Sequence, residues 1–369
     1  MWNTVKAGED GNLTLLTMRD RDAIVACNSM IFRVYGYSHP PLGYICDPEY
    51  APAGVYSSND PRAYRVKGNQ RYYKFFSDEG LRFVQEKFPE CMIWYPPLQR
   101  NLVGVKKDEI AESRQPQKAL KNLLEKEKSD QLLEALESLL DIVENRSTLS
   151  TTDFGIFGSL LHDFYHPAFS DLDFTVNGRN ELSKLRETLA TIYREENSPL
   201  SNEFDTVKSV AEKDWKFRNY SIDEYVWHQE RKQIYAVYDP KGSGRTIKAE
   251  FEPIKRWEEV HSENLDDLRI RAKGWTRILG HVTDDSDAAF MPSIYQIVTE
   301  KVLEGRKVGE IKQVVSFVEE FRLQAQKDEL ILVEGKLEQV DAPDESFSQV
   351  TLSYCPRYYE QVLKVAEIE

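Results

Sequence analysis

The stretch that most constrains the fold is Phe154–Val176, in which two apolar runs flank a glycine-serine turn and a pair of aspartates. The segment Ser170–Asp173 opens the second run. Side chains along a strand alternate between its two faces, so Asp171 and Asp173 point to one face while the leucine between them points to the core. Aspartate is a poor strand former, so two of them at the start of a strand indicate a function.

The chemistry of this stretch suits a phosphorylated ligand and a metal. Carboxylates on one face of a strand, about 7 Å apart, can bind two divalent cations, and both resist ionising together without a cation. Gly158 lets the backbone approach a phosphate, and Ser159 adds a hydroxyl donor at the start of a short predicted helix. We therefore predict a site for a nucleoside triphosphate and its metal ions.

Gly158-Ser159 and Asp171-Leu172-Asp173, with their spacer and apolar flanks, resemble the signature of the DNA polymerase beta-like nucleotidyltransferase superfamily. The whole chain also resembles archaeal predicted nucleotidyltransferases that carry this module between additional N- and C-terminal domains. The resemblance implies transfer of a nucleoside monophosphate (NMP) from a nucleoside triphosphate (NTP) to a hydroxyl, with release of pyrophosphate. It implies that Gly158, Ser159 and Ser170 bind the nucleotide, and that Asp171 and Asp173 are catalytic ligands of two Mg²⁺ or Mn²⁺ ions.

The resemblance also implies a third carboxylate from a later strand. The run Thr246–Ile254 alternates between apolar and charged residues, as a half-buried strand does. Glu250 has an apolar residue on each side, whereas Glu252 is followed by Pro253 at a predicted strand end. We therefore prefer Glu250 as the third catalytic metal ligand and keep Glu252 as the alternative. A solvated polar strand face is the other interpretation of this run.

Composition and charge limit the partners. The chain has 369 residues, of which 41% are hydrophobic and 30% charged, with no apolar run near 18 residues, so we expect a cytoplasmic protein without a membrane partner. The formal net charge of −14 argues against a polymerase that grips a long template. The expected partner is an NTP, and an RNA end, a protein or a small molecule stays open as the acceptor. A non-catalytic nucleotide- or RNA-binding protein that retains the fold is the alternative function.

The order of patterns along the chain predicts an α+β protein of three domains. Residues 1–115 suit a small α+β domain, and 116–258 a nucleotidyltransferase domain with leading helices and a small mixed sheet that has helices on one face. Residues 259–369 suggest a β-rich domain, possibly an OB-like barrel. We predict a last helix over Arg357–Ile368.

Several smaller predictions concern single elements. The pattern predicts a first strand at Leu13–Met18 and a helix that restarts at Ser129-Asp130. Arg231 and Lys232 end a predicted helix, where they complement its dipole or meet a triphosphate. We interpret His162 as a surface or loop residue, because no further metal ligand accompanies it.

Overall fold

The computed structural model describes residues 17–126, 130–205, 216–240, 245–261, 264–306 and 309–366. Most of the predicted first strand lies outside these residues. The described chain is a mixed α+β protein with three sheets and few helices, which confirms the fold class at that level.

The first sheet belongs to residues 23–114 and has eight strands, ordered β4-β5-β3-β2-β1-β8, with β7 beside β3 and β6. The strands are β1 (Ala23–Ala26), β2 (Ile31–Val34), β3 (Gly43–Pro52), β4 (Tyr64–Lys67), β5 (Gln70–Lys74), β6 (Met92–Tyr95), β7 (Arg100–Lys106) and β8 (Ile110–Arg114). Helix α1 (Glu79–Lys87) packs on β3. We call this part the N-terminal domain.

The second sheet is a mixed sheet of five strands in the order β11-β12-β13-β10-β9, and we call residues 116–254, which contain it, the central domain. Its strands are β9 (Phe154–Ile156), β10 (Leu172–Asn177), β11 (Leu200–Asn202), β12 (Tyr235–Tyr238) and β13 (Ile247–Ile254). Its helices are α2 (Pro116–Leu124), α3 (Gln131–Glu144), α4 (Gly158–Leu161), α5 (Arg179–Ile192) and α6 (Ile222–Glu230). Strands β10 and β13 are parallel, and the other neighbours are antiparallel.

The two faces of the central sheet differ in polarity. Leu172, Phe174 and Val176 of β10 share one hydrophobic core with the leucines of α2, α3 and α5. The opposite face carries Asp173 and, on β13, Glu250. The alternation in the sequence therefore separates a helix-covered apolar face from a polar one.

The third sheet lies in residues 269–365 and consists of β14 (Arg269–Asp287), β15 (Ser293–Glu304), β16 (Ile311–Ser316), β17 (Leu330–Asp341), β18 (Ser346–Leu352) and β19 (Val362–Val365). Strand β14 pairs with both β15 and β17, β16 pairs with β15 and in parallel with β18, and β18 pairs with β17. Followed from β14 through β15, β16, β18 and β17, these pairings lead back to β14, so the five strands form a ring of pairings. We call this part the C-terminal domain.

Two predictions about the ends of elements are wrong. The predicted helix at Arg357–Ile368 contains β19 instead, because Val362 and Leu363 are both fully buried where the strand pairs with β17. Strand β13 does not end before Pro253. The N–H of Phe251 points toward β12, and the position two residues later faces the same way. At Pro253, however, β12 has no residue opposite, because β12 begins at Tyr235. The proline therefore removes no hydrogen bond from the sheet, and the strand can continue through it.

The N- and C-terminal domains both contact the polar face of the central sheet. Arg21 of the N-terminal domain lies 2.6 Å from Glu252 of β13, and Arg322 of the C-terminal domain binds the same carboxylate. All three side chains are nearly inaccessible to solvent. The polar face is thus an interface of three domains.

Candidate active site

The turn between β9 and α4 lies directly against Asp173. The N–H of Phe157 donates to the carbonyl oxygen of Asp173 over 2.8 Å, and Gly158 follows with a φ of +61°. A Cβ at position 158 would collide with Oδ2 of Asp173 and lie 3.1 Å from its Cγ. The glycine is therefore required here by its backbone conformation and by the space that the carboxylate occupies.

The two predicted serines make backbone and loop contacts. Ser159 is half-buried, and its carbonyl oxygen accepts from the N–H of Phe164 over 2.9 Å. The hydroxyl of Ser170 accepts from the N–H of His166 over 2.9 Å, and its carbonyl oxygen accepts from Arg245 over 2.6 Å. These bonds hold the loop before β10 in a defined turn, and a nucleotide-binding role of either serine stays a prediction.

The structure places Asp173 and Glu250 side by side. Strands β10 and β13 are parallel neighbours, and Asp173 is the register partner of Glu250. Asp171 is exposed and stands one residue before β10, so strand alternation puts it on the same side as Asp173. Asp173 and Glu250 therefore lie side by side on the polar face, and Asp171 stands at its edge.

The electrostatics of this edge disfavour three ionised carboxylates. Burial, together with the negative charges of Glu250 and Asp171, raises the pKa of Asp173 to about 7. Lys74, on β5 of the N-terminal domain, opposes that shift. Burial also raises the pKa of Glu250, against the lowering effect of Arg322. Such mutual repulsion is what a bound cation relieves.

Glu252, the alternative third carboxylate, forms buried ion pairs with Arg21 and Arg322. Arg322 also contacts Glu250, with Nη2 3.4 Å from Oε1, a much looser contact than the one with Glu252. Glu252 thus neutralises two buried guanidinium groups, while Glu250 lies nearer the aspartates. Across the described ranges, no three His, Cys, Asp or Glu side chains are close enough to form a preassembled metal cluster.

The predicted cations at the end of α6 face the C-terminal domain. Arg231 pairs with Glu329 over 2.5 Å. Lys232 is fully buried, and its ammonium donates to Gln229 over 2.7 Å and to the carbonyl oxygen of Glu320 over 2.6 Å. Burial lowers the pKa of Lys232 well below its ordinary value. Both cations therefore connect domains.

The N-terminal domain contributes residues that the sequence did not indicate. His162, which follows α4, is buried rather than at the surface, and its Nε2 lies 3.3 Å from Glu49. Its ring also packs on Tyr50, with centroids 5.2 Å apart. These contacts bring β3 and β5 to the edge of the site, and no local pattern in the sequence predicts a pairing over such separations.

Comparison with known proteins finds a relative but does not indicate an activity. The chain is 24% identical over 354 residues to an uncharacterized protein of Methanocaldococcus jannaschii, an alignment that covers 95% of this chain and 99% of the relative. No protein-family model and no solved structure matches the chain. Among the helices of the described residues, none is long and apolar enough to cross a membrane.

Proposed function

We propose that this protein is a metal-dependent nucleotidyltransferase that moves an NMP from an NTP to a hydroxyl acceptor and releases pyrophosphate. The observation that carries the proposal is the parallel register that sets Asp173 beside Glu250. Gly158 packs against the carboxylate of Asp173. A strand pair that only stabilised a fold would gain nothing from adjacent carboxylates that repel each other.

The donor set suits the metal ions that such a reaction requires. Carboxylate oxygens are hard ligands, which Mg²⁺ and Mn²⁺ prefer. Asp171, Asp173 and Glu250 would hold the ions. When bound, they would polarise the acceptor hydroxyl and neutralise charge on the departing pyrophosphate.

Residues of the chain prepare the site for these ligands. Gly158 leaves room for the Asp173 carboxylate beside the backbone. Glu250 would have to leave Arg322 in order to bind a metal ion beside the aspartates. Arg322 would then still be paired with Glu252, so no buried cation would be left without a partner. The central domain would then be the nucleotidyltransferase fold. The ring of five strands in the C-terminal domain, with one parallel pair, supports an OB-like barrel.

A second candidate is a non-catalytic nucleotide- or RNA-binding protein. The contact between Glu250 and Arg322 favours it, because this carboxylate is neutralised by protein instead of being left for a metal. The acceptor, if the protein is an enzyme, stays open between an RNA end, a protein and a small molecule.

The test is transfer of label from each α-³²P NTP by the full chain with Mg²⁺ or Mn²⁺, with and without RNA and cell extract. We expect label on an acceptor, reduced by at least about 100-fold in Asp171→Asn, Asp173→Asn and Glu250→Gln, since each change removes a charged ligand at the reacting centre. Asp141→Asn, at an exposed position of α3, is the matched control and should transfer normally.

The outcomes separate the two candidates. Absence of labelling with every NTP, together with nucleotide binding that the Asp171→Asn and Asp173→Asn changes leave intact, would establish the non-catalytic protein. Labelling that survives both changes would contradict the assigned ligands.

A further inference from the structure

The segment between the glycine turn and the aspartates lacks the cations that a triphosphate needs. Residues 160–170 contain no lysine or arginine. An NTP brings about four negative charges to a site that already holds three carboxylates, so its phosphates require positive side chains in addition to metal ions. These cations must come from another part of the molecule.

One face of the N-terminal sheet offers such cations. Lys74 of β5 is the register partner of Tyr50 in β3, and Arg65 of β4 is the partner of Tyr72 in β5. Residues opposite each other in an antiparallel pair share a face, and so do residues two apart along a strand. Lys74, Arg65 and Lys67 therefore project from the same side of the sheet, which we call the cationic face.

The cationic face is directed at the candidate active site. Tyr72 packs its ring on Phe164, with centroids 4.9 Å apart, and Tyr50 packs on the same ring over 5.3 Å. The ammonium of Lys67 donates to the carbonyl oxygen of His162 over 3.1 Å. Residues 162–164 directly follow α4, whose first residue touches Asp173. The other side of β4, by contrast, exposes its residues to solvent.

The three cations differ in how they are engaged. Lys67 is held by the backbone of the central domain. Lys74 forms no ion pair with another described residue, and its ammonium lies 5.9 Å from the ring centroid of Phe76. Arg65 donates to the carbonyl oxygens of Arg62 and Tyr64 over 2.5 and 2.9 Å, so its guanidinium also has no carboxylate partner among the described residues. Neither cation thus has a close ion pair within the described ranges, and Lys74 acts on the carboxylate of Asp173 from a longer distance.

We propose that the N-terminal domain completes the active site, with Lys74 and Arg65 binding the triphosphate of the NTP. This inference rests on the proposed function and assigns it two further residues. Lys67 fixes the cationic face to the segment after α4, as a positioning residue. The three-domain arrangement then has a chemical purpose, because the carboxylates and the phosphate-binding cations come from different domains.

The test compares ligands that differ only in their phosphates. We would titrate the full chain with ATP, AMP and tripolyphosphate in the presence of Mg²⁺ by isothermal calorimetry, for wild type, Lys74→Ala, Arg65→Ala and Lys74→Arg. Loss of one charge-assisted contact predicts a 10- to 100-fold weaker binding of ATP and tripolyphosphate, roughly what such contacts contribute, with AMP changed less than about twofold. Lys74→Arg should restore most of the affinity. Lys121→Ala, on the exposed surface of α2, is the control.

Each other result has a definite meaning. Equal weakening of ATP and AMP would overturn the inference and assign Lys74 a structural role. Unchanged ATP affinity in both alanine variants, with label transfer intact, would overturn it and leave the proposed function standing. A wild-type protein that binds no NTP and transfers no label would remove both proposals together.

Discussion

At the residue scale, Gly158 shows how closely backbone and chemistry are joined in this molecule. Its left-handed φ would allow an asparagine or aspartate in an ordinary turn. The adjacent carboxylate of Asp173 leaves no volume for any Cβ. A sequence pattern predicts a glycine that lets phosphate approach, whereas the structure adds that the same glycine makes room for the Asp173 carboxylate.

Gly158→Ala is therefore expected to disturb both stability and activity. The forced φ and the displaced carboxylate should lower the free energy of unfolding by about 1–3 kcal/mol and reduce label transfer at least tenfold. Denaturant unfolding and the transfer assay measure the two effects. Gly54→Ala is the control, because a Cβ at position 54 meets no atom within 4 Å. Equal effects of the two changes would contradict the strain and crowding assigned to position 158, because the lower entropy of the unfolded chain acts in the stabilising direction.

At the element scale, helix α6 is fixed to strand β19 through one buried imidazole. Nδ1 of His228 lies 2.6 Å from the carbonyl oxygen of Glu224, and Nε2 accepts from the N–H of Val365 over 3.0 Å. This arrangement requires neutral histidine with its proton on Nδ1. Burial, together with the positive charges of Lys232 and Arg231, lowers the pKa of His228 from 6.5 to about 4.

This depressed pKa makes the attachment of α6 sensitive to acid. The unfolded chain takes up the proton near pH 6.5 and the folded chain only near pH 4, so the stabilisation is complete above pH 6.5 and is lost as the pH falls through that window. Between pH 7.5 and 5 the loss should be about 2 kcal/mol. The free energy of unfolding, measured with urea at both pH values, should decrease by about 2 kcal/mol less in His228→Gln than in the wild type. An unchanged dependence would mean that folding does not lower the pKa of His228.

Much of the element structure follows from local patterns, and the exceptions have a physical cause. Helix α3 begins after Asp130, where the sequence predicts that a helix restarts, and the Asp130 side chain accepts from the N–H groups of Leu132 and Leu133. Glu250 was preferred for its apolar neighbours, and it is the residue in register with Asp173. The terminal strand β19 escaped prediction because pairing with β17 overrides helix propensity.

At the scale of the whole molecule, stability and site geometry depend on ion pairs between domains. Arg21, Glu252 and Arg322 are buried together, and Glu319 of the C-terminal domain binds both Arg21 and Arg33 over 3.1 and 3.0 Å. No local pattern in the sequence predicts this network, since its members come from three distant parts of the chain. Local periodicity identifies an element and its faces, but it does not say what covers them.

A double-mutant cycle on Arg322 and Glu252 tests how far the domains are coupled. Each single change, Arg322→Met or Glu252→Gln, should cost about 3 kcal/mol, because it breaks a buried ion pair and unbalances the charges of the network. The double variant should recover about 2 kcal/mol of the summed cost. The exposed pair Arg146–Glu195, 3.1 Å apart, should show a coupling below about 1 kcal/mol in the same assay. Additive costs at the buried pair would contradict the network.

The shared carboxylate of Glu252 also constrains how the chain can diverge. Its two guanidinium partners lie 231 residues before it and 70 residues after it. A mutation that removes one charge leaves an unbalanced group inside the protein, and the repair must arise in another domain. These distant positions are therefore expected to change together in evolution. A chimera that takes one domain from a diverged homologue would combine unmatched charges here and would be less stable.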